Sequence, residues 1–379
     1  MVKNFKLNFG PLLLVFISMF MGCSSKPHQQ EYITIGALFP LTGESADEGL
    51  RALNGLQLAK EEINERGGVL GKKLDFIVLN DRGDKEYIVQ QYNKLKEKEV
   101  VAVIGSSYSA ATAALAMAAE KDGIPIISPT ASDPAITKGR PNVFRTILLD
   151  DYQAEAMEYF AYNTLNARTA VVLSNSNIET FRQTARAFAE LFAARGGRII
   201  AIEPYSTENE FPFILDKYAA NPPDVIFCPG DFAPAAKLVD LAYDAGFTKT
   251  FMLGTDGWDG ILAYVYHAAA MENVYYSTSF MFDDETAEVM LFVRHYFNAF
   301  SQMPLTGSAA AYTCVYILAE AIGKAGNTKP DDIAFAIHSN EFDTLMGRIK
   351  FDENNNPRTN VYIVQIKDGV YSTYSKLSL

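Results

Sequence analysis

The sequence predicts an α/β protein: two doubly wound parallel-sheet lobes joined by three crossing strands. Three observations carry this. Short β-rich apolar runs alternate with longer amphipathic stretches, the signature of βαβ units and a parallel sheet. The same pattern restarts near Thr169. The last hundred residues show neither a third core nor a Pro/Ser linker, so they return to complete the two lobes.

Tyr32–Leu38 (YITIGAL) reads as a buried strand, and Asp47–Arg66 as an amphipathic helix stopped by Gly67-Gly68. Strand Leu74–Asn80, helix Lys85–Lys98, strand Val101–Ile104, helix Ala110–Lys121 and strand Pro125–Ile127 follow. In the second half, strand Thr169–Leu173 precedes helix Glu179–Arg195, which stops at Gly196-Gly197. Strand Arg198–Glu203, helix Phe211–Ala220, strand Asp224–Cys228, helix Ala233–Ala245 and strand Thr250–Leu253 complete that half. Helices Glu285–Ser301, Ala309–Gly323 and Pro330–His338 lead to strands Leu345–Phe351, Val361–Ile366 and Val370–Tyr374. The crossings are expected near Leu148–Asp150, Tyr275–Ser277 and Phe351–Asn356. Lobe 1 then comprises 32–149 and 277–351, and lobe 2 comprises 150–276 and 352–379.

Composition excludes several classes. The 379 residues carry 33 Lys+Arg against 45 Asp+Glu, a net charge of −12 that disfavours nucleic-acid binding. Three cysteines do not make a disulfide scaffold. The N-terminus reads as a signal peptide over 1–22: Lys3 and Lys6, then the apolar run Pro11–Phe20, then Met21-Gly22-Cys23. The Gly-Cys ending resembles a bacterial lipobox, which implies lipidation at Cys23 and a tether over 23–31. The expected address is the extracytoplasmic face of a bacterial envelope. No dinucleotide fingerprint, P-loop or GxSxG elbow is present, and the four His stand away from Gly-rich Ser turns. Asp352–Asn356 (DENNN) lacks the Gly and the Glu of a calcium loop and reads as a hairpin turn. We expect no catalysis, no metal and no cofactor.

Binding signals lie at strand ends. Gly105–Ser109 links a strand to a helix, and a Ser-rich turn at a helix N-terminus offers N–H groups and hydroxyls to an anion. Ser109 serves equally as an ordinary N-cap. The next strand ends in Ser128-Pro129-Thr130-Ala131-Ser132-Asp133-Pro134, where Asp133 is a helix-start signal and Thr130 and Ser132 are left over beside Ser109. In the second half, Phe232 and Asp256 occupy equivalent loops. Asp256 is a turn aspartate or a cation's counter-ion, and Phe232 is core or a cation–π ring. Neutral donors facing an acid and an aromatic suit a zwitterion.

These segments together resemble the leucine/isoleucine/valine-binding protein family of type 1 periplasmic binding proteins. The resemblance spans about Tyr32–Gly369. It is carried by Ile35-Gly36-Ala37, Leu41-Thr42-Gly43, Ala59–Gly68 (AKEEINERGG), Asn80-Asp81, Val103–Pro134, Gly254-Thr255-Asp256-Gly257 and Met346–Asp352 (MGRIKFD). It implies a Venus-flytrap receptor that presents a small ligand, most of all an amino acid of the branched-chain type, to an ABC permease. Ser109 and Ser132 then grip an α-carboxylate, Thr130 contributes backbone groups, Asp256 meets the α-ammonium, and Phe232 stands where the family often has Tyr. The family's aromatic-Gly pair falls near Thr180-Phe181. A pocket aromatic of the family aligns with Asp47 or Glu48; an acid there, Glu48 above all, either favours a ligand with a polar or basic side chain or is a solvated helix start, and the second reading is the simpler. Tyr108 and Trp258 either shape the side-chain pocket or pack within a lobe. A sensory receptor, or a binder of an amide, urea, polyamine or aromatic acid, is the alternative.

Overall fold

The computed structural model describes residues 32–43 and 46–378. The signal-peptide, tether and Cys23 expectations lie outside the described residues.

The first sheet grows from β1 (Tyr32–Phe39), β2 (Lys73–Asn80), β3 (Val103–Gly105), β4 (Ile126–Ser128) and β5 (Val143–Arg145). Between them run α1 (Ala46–Glu65), α2 (Tyr87–Lys96) and α3 (Ser109–Ala119). All pairs are parallel, in the order β2-β1-β3-β4-β5. The chain then enters α4 (Asp150–Tyr159), continued by a π turn at Phe160–Thr164. There follow β6 (Thr169–Asn175), α5 (Glu179–Ala194), β7 (Arg198–Tyr205), α6 (Phe211–Asp216), β8 (Val225–Phe227), α7 (Phe232–Asp244), β9 (Phe251–Gly254) and β10 (Val274–Thr278). These five strands repeat the first winding as β7-β6-β8-β9-β10.

Helices α8 (Ala287–Phe300), α9 (Thr306–Ala325) and α10 (Pro330–Ser339) precede a small antiparallel sheet of β11 (Glu341–Thr344), β12 (Gly347–Phe351) and β13 (Pro357–Arg358). Strands β14 (Asn360–Lys367) and β15 (Val370–Ser378) then join the second sheet antiparallel, beyond β10. Because β10 runs through Thr278 within the second sheet, the chain crosses after it and not at Tyr275–Ser277. Likewise β13 still pairs with β12, so the last crossing falls at Thr359, just past the expected Phe351–Asn356. The DENNN segment is a turn: Asp352 Oδ1 accepts from the N–H of Asn354 and of Asn356.

Both central sheets are buried on both faces, which explains their unbroken apolar strands. In β6, Val171 packs with Ile226, Trp258 and Tyr276, while its neighbour Val172 packs with Phe188, Phe192 and Phe227 on the opposite face. The rings of Phe188 and Phe227 stack 4.1 Å apart. In the first lobe, α9 lays Val315, Leu318 and Ile322 over Ile35, Ile104 and Phe144. It crosses α1 at Gly55, where a Cβ would meet the Ser308 carbonyl oxygen at 2.0 Å; any side chain there would force the helices apart.

Candidate functional site

In a 2-1-3-4-5 sheet, ligands collect where the strand order reverses, outside the carboxyl ends of the strands. Both lobes obey this rule toward each other. A cleft of about 590 Å³ is lined by Ser107–Ala110 after β3, Thr130, Ser132 and Asp133 after β4, and Asp150 at the start of α4. Asn177–Phe181 after β6, Asp231 and Phe232 after β8, and Thr255–Gly257 with Asp259 after β9 line it from the second lobe. Glu48 of α1 and Thr306-Gly307 of α9 close one end.

The first lobe presents hydroxyls and helix amides. Helix α3 begins at Ser109, and its first residues, Ser109 and Ala110, line the cleft, so its N-terminal end adjoins the ligand space. Ser109 Oγ accepts from the Asp133 N–H at 3.3 Å, which leaves its own proton to donate. Thr130 Oγ1 donates to the Ser107 carbonyl at 2.9 Å and thereby locks the two strand-end loops together. Ser132 lines the cleft as well, and its hydroxyl acts on the Asp150 carboxyl. Burial pushes Asp150 up to about 6, against the opposing pull of Ser132 and of the buried Arg145.

The second lobe presents carboxylates. The Asp256 N–H donates to Gln153 Oε1 at 3.0 Å, and the same oxygen accepts from Ser277 Oγ, so α4 and β10 fix the loop. Burial pushes the Asp256 carboxyl up to about 8, and the charge of Asp150 adds to it. Burial alone lifts Asp231 to about 6. Across the cleft on α1 of the first lobe, Glu48 is also raised by burial, with Arg51 pulling it back and Asp259 and Asp231 pushing further. Asp259 accepts from the Thr306 N–H at 2.8 Å and the Tyr276 hydroxyl at 3.2 Å.

The lobes touch beside the cleft. Tyr264 Oη donates to Asp47 Oδ2 at 2.7 Å, and Arg51 Nη1 donates to the Asp259 carbonyl at 3.3 Å. The Arg51 guanidinium also sits 5.4 Å from the Phe232 ring centroid, and Phe232 packs on Tyr264 at 4.9 Å. The face of Phe232 therefore holds a cation of the protein itself.

Ser109, Thr130, Ser132, Phe232, Asp256, Tyr108, Phe181 and Glu48 all line this cleft. Trp258 does not. It is fully buried in the second-lobe core, donates Nε1–H to the Cys228 carbonyl at 3.0 Å, and lies so close to Gly254 that a Cβ there would meet its ring at 2.2 Å. The reading of Glu48 as a solvated helix start is also overturned: Asp47 is exposed, but Glu48 turns into the cleft, one position further round the helix. Asp150, Asp231 and Asp259 escaped sequence reasoning because an acid at a helix start has an ordinary explanation. Their signal was position: Asp231 and Asp259 follow β8 and β9 of the second sheet, and Asp150 follows β5 of the first.

The periplasmic binding protein family matches residues 32–370, nearly the whole described chain. This chain belongs to that family. Among its relatives is the leucine-, isoleucine-, valine-, threonine- and alanine-binding protein of Pseudomonas aeruginosa, 27% identical over 88% of this chain and 89% of that protein. Leu/Ile/Val-binding protein BraC3 of Rhizobium johnstonii is 28% identical over 85% and 88%. Of solved structures, LivJ from Streptococcus pneumoniae in complex with isoleucine aligns with a TM-score of 0.83 at 27% identity, covering 92% of this chain and 99% of that one. A leucine-binding LivK from Thermotoga maritima also gives 0.83, at 26% identity, covering 91% and 99%. The family and the two facing lobes make this an extracytoplasmic solute-binding protein of Venus-flytrap architecture.

Proposed function

We propose that this solute-binding protein closes on a small zwitterion, an amino acid, and delivers it to an ABC permease while a lipid at Cys23 holds it to the membrane. It performs no chemistry on its cargo. The observation that carries this reading is the facing of unlike edges across one cleft: Ser109 and the α3 amides on one lobe, Asp256 on the other. The relatives named above, which bind leucine, isoleucine and valine, support the amino-acid class.

An α-carboxylate at the α3 N-terminus receives hydroxyl and amide hydrogen bonds and the favourable end of the helix dipole. The α-ammonium meets Asp256. Because the two ends are held by different lobes, only the closed state makes both sets of contacts, and binding shifts the population toward closure by that difference. A thermal-shift screen against the twenty amino acids, amides, urea and polyamines tests this. At a hundredfold excess over Kd, binding adds about 2.7 kcal/mol to stability. A rise confined to amino acids is expected; a rise with amides or polyamines alone would reject the zwitterion.

A further inference from the structure

The cleft carries more negative charge than one ammonium answers. Glu48, Asp150, Asp231, Asp256 and Asp259 all border it. Two guanidiniums stand near them: buried Arg145 behind Asp150, and Arg51, 3.9 Å from Glu48. Asp259 is committed to Thr306 and Tyr276, and Asp256 to the α-ammonium of the reading above. Asp231 is left over, and Glu48 has Arg51 and the Thr130 hydroxyl; the two carboxylates are close enough that the charge of Asp231 acts on Glu48.

Neither has the usual reason for its place. Asp231 is the N-cap residue of α7, yet its side chain makes no capping bond to the helix. Glu48 is seated against Gly307, where a Cβ would meet its Oε1 at 2.4 Å, so the backbone of α9 leaves room for that carboxylate. Among the described residues no three His, Cys, Asp or Glu converge closely enough to hold a metal ion. An organic cation is the other partner that such lining acids suit. A separate observation points to a ligand in the same space. Ser107 lines the cleft, is only 5% exposed, and its Oγ has no hydrogen-bond partner. Buried hydroxyls are nearly always satisfied, and a polar atom of a bound molecule would satisfy this one.

We infer that the ligand is an α-amino acid whose side chain ends in a second cationic group, held by Glu48 and Asp231. This rests on the amino-acid reading and deepens it. A neutral side chain would leave Asp231 without a cation and Glu48 with only Arg51, 3.9 Å away, and the Thr130 hydroxyl, whereas an ammonium or guanidinium set beside both carboxylates pairs with them in the low-dielectric cleft.

The test is calorimetric titration of the full chain, purified in mild detergent, with arginine, lysine, citrulline, norleucine, leucine, agmatine and cadaverine. Arginine or lysine is expected to bind at least tenfold more tightly than its uncharged counterpart, citrulline or norleucine. Leucine or norleucine binding as tightly as the cationic amino acids would overturn this inference and leave the amino-acid reading standing. Agmatine or cadaverine binding as tightly as arginine or lysine would overturn both, because the carboxylate would not be read. No binding by any of the seven would also overturn both. Glu48→Gln and Asp231→Asn should each shrink the preference for charged over uncharged side chains by at least threefold; an unchanged preference in folded variants would overturn the assignment. Thermal midpoints establish folding, and the citrulline and norleucine comparisons on the unaltered chain stand even where a variant misfolds.

Discussion

The two edges of the cleft are built on the same 2-1-3-4-5 winding, yet they carry opposite chemistry. After β3 the first lobe places Ser107, Tyr108 and Ser109 before α3; after β8 the second places Gly230, Asp231 and Phe232 before α7. Each position is a loop at a helix N-terminus, and either would hold an anion on backbone grounds alone. At this loop the first lobe keeps that property with neutral hydroxyls, its acid Glu48 lying apart on α1 with Arg51 3.9 Å away. The second reverses it with Asp231 and, one strand further, Asp256. The lesson is that the winding decides where a ligand sits, while a few side chains at strand ends decide which pole of the ligand each lobe takes.

The comparison breaks most readily at Asp256. Asp256→Ala should weaken amino-acid binding by roughly 2–5 kcal/mol, because a buried ammonium loses its partner; a loss of tenfold or less by titration calorimetry would remove Asp256 from that role. On the opposite edge, Ser109→Ala should weaken binding by about 1.5–3 kcal/mol, the range for hydrogen bonds to charged groups. The thermal midpoint of the ligand-free protein should move much less than the affinity does. An affinity change no larger than that expected of a lost N-cap would leave Ser109 a structural residue.

Asp256 also predicts a pH dependence. Folded Asp256 keeps its proton to about pH 8, whereas an unfolded chain releases it near the ordinary aspartate value. Between those values the folded state binds more protons, so ligand-free stability contributed by this residue falls as pH rises. Asp256→Asn should flatten that slope between pH 5 and 8 in chemical denaturation, and ligand binding at pH 7 should release protons in buffers of different ionisation enthalpy. A slope identical in the variant would contradict the buried carboxyl. The smallest expected effect is at Phe232. Phe232→Leu removes the ring facing Arg51 and should cost about 0.5–1 kcal/mol of stability, read from the denaturation midpoint.

Much of this arrangement is legible in the residues. Alternating strand-like and helix-like runs and the repeated helix–Gly-Gly–strand order predict two wound lobes, and Ser109, Thr130 and Asp256 stand out as strand-end polar residues. What the pattern misses is short or doubly buried. Strands β5 and β11 have three and four residues and include Arg145 or Glu341, Asp343 and Thr344, so no apolar run marks them as it marks the equally short β3, β4 and β8. Helix α4 escapes because it buries polar residues, Asp150, Gln153 and Glu158, so no apolar stripe marks it. Asp231 escapes, and Glu48 reads first as a solvated helix start, for the opposite reason: acids at helix starts are so common that one turned into a cleft looks the same. Trp258 misleads because a lone large aromatic in a strand-end loop suits a pocket, whereas here it caps the core under Gly254.

The central claim is that each lobe holds one pole of the ligand. It is tested most directly by titrating the full chain with the tightest-binding amino acid of the screen, its decarboxylated amine and its des-amino acid. Loss of either pole should weaken binding at least a hundredfold, because each pole is gripped by a separate lobe and closure needs both. An amine or an acid that keeps affinity within tenfold of the amino acid would contradict the account.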